Sequence, residues 1–165
     1  MVRIEDMSQT ERQAWIALMV DVTVFVIFIK GMTTAFSIDT LSAAALSSLV
    51  IGLIVTTVVL HIIIQSVFTL RKRGDSDDDV KDERDIRVER KGSTYGFYIL
   101  AILVNILVGH IVIQNGLNAI PDITDKHQSF FDYTNTSHLV FALIFAAFLG
   151  DIVKNAVMIR EYRRA

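Results

Sequence analysis

The chain has 165 residues, 52% of them hydrophobic and 21% charged, and its mean hydropathy of +0.47 is too high for a soluble domain of ordinary composition or a disordered tail. It contains no cysteine, which excludes a disulfide scaffold, a thiolate metal site and a thiol nucleophile. The formal net charge is −2 and there is one proline, so no nucleic-acid partner is expected and long unbroken helices are.

Crossing the hydrocarbon layer of a bilayer, about 30 Å thick, takes about 20 mainly apolar residues. Four places supply such a stretch. The first runs over about 14–35 and carries Asp21 inside it and Lys30 near its far end. Ser8 followed by Glu11 has the spacing of a capping box ahead of it. The region before it is acidic (Glu5, Asp6, Glu11) and its apolar run is long and interrupted, which predicts a retained span and not a cleaved signal sequence.

The second span, 41–70, has no formally charged residue, and Asp39 or Thr40 can cap it. Ala44, Ser48, Gly52 and Thr56 form a stripe of small residues four apart, a candidate for close helix contact, preferentially within the bundle. Thr57, His61 and Gln65 form a polar stripe at the same spacing. A charged loop over 71–94 follows. Its run Asp75, Ser76, Asp77, Asp78, Asp79 imitates the start of a calcium loop, but Val80 and Ile86 stand where glycine and glutamate are needed. A solvated acidic run is therefore expected there.

In the second half of that loop, Glu83 precedes Arg87 by four residues, the favourable order on a helix. This part is expected at the membrane surface, leading into the third span, with Arg84, Arg87, Arg90 and Lys91 placed to meet anionic headgroups or a protein partner. The stretch DERDIRVERKGSTYGFYIL resembles the DER-x-x-x-I-x-x-K segment that precedes a membrane helix in small four-span bacterial membrane proteins of DUF2178-like type. The resemblance covers about 20 residues and departs from the pattern at Val88 and Arg90. It implies a bacterial or archaeal cytoplasmic membrane protein and carries no activity with it.

The third span, 95–117, carries Asn105 and His110, and an outer loop over 118–137 follows. Within and just after that loop Asp122, Asp125, His127, Asp132 and His138 are weak candidates for a hard or borderline metal, matching no known ligand spacing. Asp122 and Asp132 are better read as turn or cap residues. The fourth span, 138–158, offers Ala142, Ala146 and Gly150 as a second small-residue stripe, and carries Asp151, Lys154 and Asn155 in its second half.

Orientation follows from the basic residues, which resist translocation. Thirteen of the sixteen lysines and arginines lie before span 1, between spans 2 and 3, or after span 4. Only Lys30 and Lys126 lie on the opposite side, and Lys154 is within span 4. Both termini and the 71–94 loop are therefore expected in the cytoplasm. Trp15, Tyr95 and Tyr162 then fall at the inner boundary and Phe130, Phe131 and Tyr133 at the outer one.

An ionisable residue inside a bilayer reads as functional when a partner can be named. At about 1.5 Å rise per residue, Asp21 lies about 10 Å from the inner boundary, Asp151 about 12 Å, and His61 and Asn105 about 15 Å. Each span thus contributes one member of a polar layer, which either fixes bundle register by hydrogen bonds or serves an ion or proton pathway. No cofactor is expected. His61 and His110 differ by about 8 Å in depth, unsuited to a bis-histidine haem, and no zinc-type spacing accompanies Asp21, His61 and Asp151.

No nucleophile elbow, phosphate loop or metalloprotease helix is present. The sequence therefore predicts an all-α, integral-membrane four-helix bundle of the cytoplasmic (inner) membrane with cytoplasmic termini, functioning as a homo-oligomer. The expected function is non-enzymatic: a binding, structural or regulatory module that contacts a protein partner or anionic lipid through its inner loop. A small ion- or proton-conducting protein is second, and an enzyme acting on a lipid or quinone third.

Overall fold

A computed structural model describes residues 7–36, 43–71, 82–118 and 136–164. They form four helices: α1 (Gln9–Phe36), α2 (Ala43–Arg71), α3 (Glu83–Asn118) and α4 (Thr136–Arg164). All four are long and apolar enough to cross a membrane. The chain is all-helical over its described residues.

The helices outrun the apolar windows, most of all in α3. Residues 83–94, expected as part of a loop, are its first three turns, and the full helix of 36 residues is about 54 Å long at 1.5 Å per residue. Local chemistry explains the early start. Ile86 N–H donates to the Asp82 carbonyl at 3.1 Å, Glu83 and Asp85 lie in the first turn where negative charge complements the helix dipole, and α3 has no glycine before Gly92. Hydropathy locates where a helix stops being apolar, not where it stops being a helix. α1 likewise begins five residues early, on Ser8, whose Oγ accepts the Glu11 N–H at 3.1 Å and whose carbonyl accepts the Arg12 N–H at 3.0 Å. The caps proposed for α2, Asp39 and Thr40, lie outside the described residues.

The closest helix pairings are α3 with α4, α4 with α1, and α1 with α2. α1 and α4 form the centre. On α1, Thr10, Ala14, Val20, Asp21, Val24 and Phe28 are buried at helical spacing. Val20, Val24 and Phe28 meet Leu53 of α2 and Phe141 of α4 in one core cluster. Around it, Phe25 stacks on Phe145 and Phe148 at centroid distances of 5.4 and 6.0 Å, and Phe28 on Phe141 at 5.7 Å, tilted pairs that add about 0.5–1.5 kcal/mol each beyond their burial.

The α3–α4 contact is built on absent side chains. A Cβ on Gly96 would stand 2.8 Å from the Gly150 carbonyl oxygen and 2.9 Å from Lys154 Cβ, and one on Gly92 would meet Met158 and the Lys154 carbonyl. Gly92-Ser93-Thr94-Tyr95-Gly96 is thus a small-xxx-small pair against which α4 lays its backbone. The α4 stripe is used inside the bundle, with Ala146 and Gly150 buried. The α2 stripe is not: Ser48 and Gly52 are exposed, and a Cβ on Gly52 would meet nothing.

Outward faces remain apolar. Met19 on α1, Ile51 on α2, and Phe97, Ile106 and Val112 on α3 are each 60% or more exposed, more apolar surface than water-soluble monomers usually show.

Candidate functional site

The start of α1, the start of α3 and the end of α4 converge at one end of the bundle, where a small core of Ala14, Val88, Met158, Ile159 and Tyr162 is packed under Trp15 and Leu18. Polar bonds knit its surface. The buried Tyr162 hydroxyl donates to the Asp85 carboxylate, which also accepts from Ser8 Oγ at 3.4 Å. One α3 carboxylate thereby holds both α1 and α4. Arg84 Nη2 donates to the Tyr162 carbonyl at 2.9 Å, with its guanidinium 5.5 Å from the centre of the Tyr162 ring. A carbonyl in the last turn of a helix is well served by such a cation, which supplies a donor near the helix end and favours the negative end of the dipole. Lys91 pairs with Glu161 at 2.8 Å.

The four basic residues singled out in the sequence therefore divide into two kinds. Arg84 and Lys91 are bound to α4 and brace the extension. Arg87 and Arg90 are exposed, beside Ile86, which is 54% exposed. Two guanidinium groups flanking an exposed aliphatic side chain on a helix already ordered is an arrangement suited to a docking surface, since little ordering entropy is left to lose on binding.

The polar layer forms in a reduced version. Asp21 is buried and accepts from Asn155 Nδ2 at 2.9 Å. Asp151, His61 and Lys154 lie close enough to act on Asp21 electrostatically. Asp151 itself is exposed. His61 Nδ1 is 3.0 Å from the Thr57 carbonyl of its own helix, and Thr57 Oγ1 in turn donates to the Leu53 carbonyl at 2.9 Å. Asn105 departs from the expected layer: it is exposed and bonds back to the Ala101 carbonyl at 2.8 Å. Rise along a helix gives depth but not direction. Asn105 is nine residues beyond Gly96, which at about 100° per residue is half a turn away from the face that meets α4.

Tyr162, Gly92 and Gly96 carry more of this end than the sequence reading assigned them. The two glycines were legible through their spacing of four, continued by Val88 one turn earlier. The Tyr162–Asp85 bond joins residues 77 apart and has no local signal. Of the outer metal candidates, Asp122, Asp125 and His127 lie outside the described residues, and His138 is half-buried in the first turn of α4. Among the described residues, no three or more histidine and carboxylate side chains are grouped to hold a metal ion. Comparison of the chain with family models, curated proteins and solved structures gives no match.

Proposed function

We propose that this chain is a multi-pass protein of the cytoplasmic membrane, both termini inside, that acts without catalysis. Its work is to present the basic start of α3 to a partner: an acidic segment of another protein, or the anionic surface of the bilayer. The carrying observation is that residues 83–94 are a helix clamped onto α4 at Tyr162, Glu161 and Met158, with Arg87 and Arg90 left outward. A loop of the same sequence would have to be ordered on binding; this helix is ordered beforehand. The thirteen-to-two distribution of basic residues supports the orientation, and the DUF2178-like resemblance of residues 82–100 fits the same membrane.

The division of the basic residues dictates the test. Neutralising Arg84 would disturb the fold as well as the surface, so Arg87→Gln/Arg90→Gln is the informative variant. A photoreactive residue at position 86 should give a discrete cross-linked species in cells, and that species should be lost in the double variant while Arg84 and insertion remain intact. A cross-linking pattern indifferent to Arg87 and Arg90 would remove the reading.

A second reading, conduction of a proton or cation through the polar layer, is favoured by one observation: a buried carboxylate, Asp21, with Asp151, His61 and Lys154 around it. Its weakness as a pathway is the Asn155 bond, which already satisfies Asp21, and the absence of Asn105 from the group. Proton and cation flux in liposomes bearing the wild-type chain, lost in Asp21→Asn, would establish it.

A further inference from the structure

A cavity of about 530 Å³ opens between α1 and α2 at the charged end of the bundle. Its floor is apolar, with Ile16, Met19 and Val20 of α1 facing Leu60 and Ile64 of α2. Its mouth carries Arg12 and Arg163, with the Arg163 guanidinium 5.3 Å from the centre of the Trp15 ring. No carboxylate lines the cavity, and neither arginine has an ion-pair partner among the described residues.

We propose that this cleft is a site for one anionic phospholipid, distinct from the basic face of α3. The apolar walls belong to stretches of α1 and α2 that are long and apolar enough to sit in hydrocarbon, so the occupant reaches them from the bilayer and brings an apolar chain. From Arg12 to Thr23, the limits of the lining on α1, the cleft runs about 16 Å at 1.5 Å per residue, close to the depth of one leaflet of a bilayer about 30 Å thick. The volume lies within the range of about 300–1,000 Å³ common to small-molecule sites. Two guanidinium groups at the headgroup end select charge, because basic pockets between membrane helices on the cytoplasmic side suit anionic headgroups. Arg163 lies over the Trp15 ring, an arrangement that uses the face of a guanidinium and leaves its N–H edge for phosphate oxygens. The headgroup phosphate rests between Arg12 and Arg163, and one acyl chain lies along Ile16, Met19 and Leu60.

The inference rests on the membrane-spanning part of the proposed function and not on its docking face. Trp15 is the single tryptophan of the chain and lines the cleft, so its fluorescence reports the occupant directly. In nanodiscs of phosphatidylcholine, a minor fraction of phosphatidylglycerol brominated on its acyl chains should quench Trp15 with an apparent preference on the order of 10-fold over brominated phosphatidylcholine. Arg12→Gln/Arg163→Gln should abolish the preference, Arg12→Lys/Arg163→Lys should keep most of it, and Arg87→Gln/Arg90→Gln should leave it unchanged. Equal quenching by the two lipids in the wild-type chain, or a preference surviving in the Arg12→Gln/Arg163→Gln variant, would overturn the proposal. Protection of Trp15 from both lipids and from aqueous acrylamide would place protein in the cleft, either this chain's first six residues or a second subunit, and would overturn it too. Quenching by acrylamide alone would overturn the membrane reading along with it.

Discussion

Gly96→Ala is the sharpest probe of the α3–α4 clamp. The new Cβ would stand 2.9 Å from Lys154 Cβ and 2.8 Å from the Gly150 carbonyl oxygen. Carbon atoms settle at about 3.5 Å or more, so α4 must retreat by about 0.6 Å, and neither atom in the way belongs to the end of a flexible side chain. Overpacking of this kind costs about 1–3 kcal/mol. Alanine returns about 1 kcal/mol because it is the better helix former, leaving a net loss of about 0–2 kcal/mol. The control is Gly109→Ala, also within α3, where a Cβ meets nothing within 4 Å; only the helix-propensity gain of about 1 kcal/mol then remains. Thermal unfolding in detergent, followed by circular dichroism, should therefore rank Gly109→Ala at or above the wild-type chain and Gly96→Ala several degrees below Gly109→Ala. If Gly96→Ala is as stable as Gly109→Ala, the close approach described between α3 and α4 is wrong.

Other consequences follow from the same geometry. Tyr162→Phe removes the donor to Asp85 and should cost about 1.5–3 kcal/mol, the range for a hydrogen bond to a charged group; a cycle with Asp85→Asn should show the two effects to be strongly non-additive. Asn155→Leu leaves the Asp21 carboxylate buried without its donor and should lower thermal stability by about 1–3 kcal/mol. Asp21→Asn should be at least as stable as the wild-type chain in the same assay, since it keeps the shape and removes the cost of a buried charge; a marked loss of stability would show that the carboxylate itself is needed by the fold.

The four apolar stretches were readable because hydrophobic length is a property of each segment alone, and the Ala146–Gly150 stripe was readable because small residues recur at helical spacing. The amphipathic extension of α3 was legible only in the helical spacing of Glu83 and Arg87, since the cap and first-turn acids that start it, Asp82, Glu83 and Asp85, are discarded by a hydropathy window. The polar layer was half readable. Depth along a helix comes from counting, and that brought Asp21, His61 and Asp151 to one level. Direction depends on which face meets a neighbour, and that put Asn105 outside and chose Asn155, one turn beyond Asp151, as the partner of Asp21. The bracing at Tyr162 depends on residues far apart in the chain, and no pattern within either segment announces it.

The arrangement makes sense of the charge segregation. The basic residues on which the proposed orientation rests also finish the helices: Arg84 caps α4 through the Tyr162 carbonyl, Lys91 ties to Glu161, and Arg163 covers Trp15. Arg87 and Arg90 on α3, and Arg12 with Arg163 by the cleft, have no ion-pair partner among the described residues, and they are what the proposed functions use.

The most direct test of the account is sidedness, because the docking face on α3 and the lipid cleft are both placed at the cytoplasmic side. The chain has no cysteine, so single replacements can be labelled without background in intact cells and in inverted membrane vesicles. A membrane-impermeant maleimide should reach Ser76→Cys only in inverted vesicles and Ser129→Cys only in intact cells. Labelling of Ser76→Cys in intact cells, with Ser129→Cys protected, would contradict the orientation and the roles assigned to Arg12, Arg87, Arg90 and Arg163.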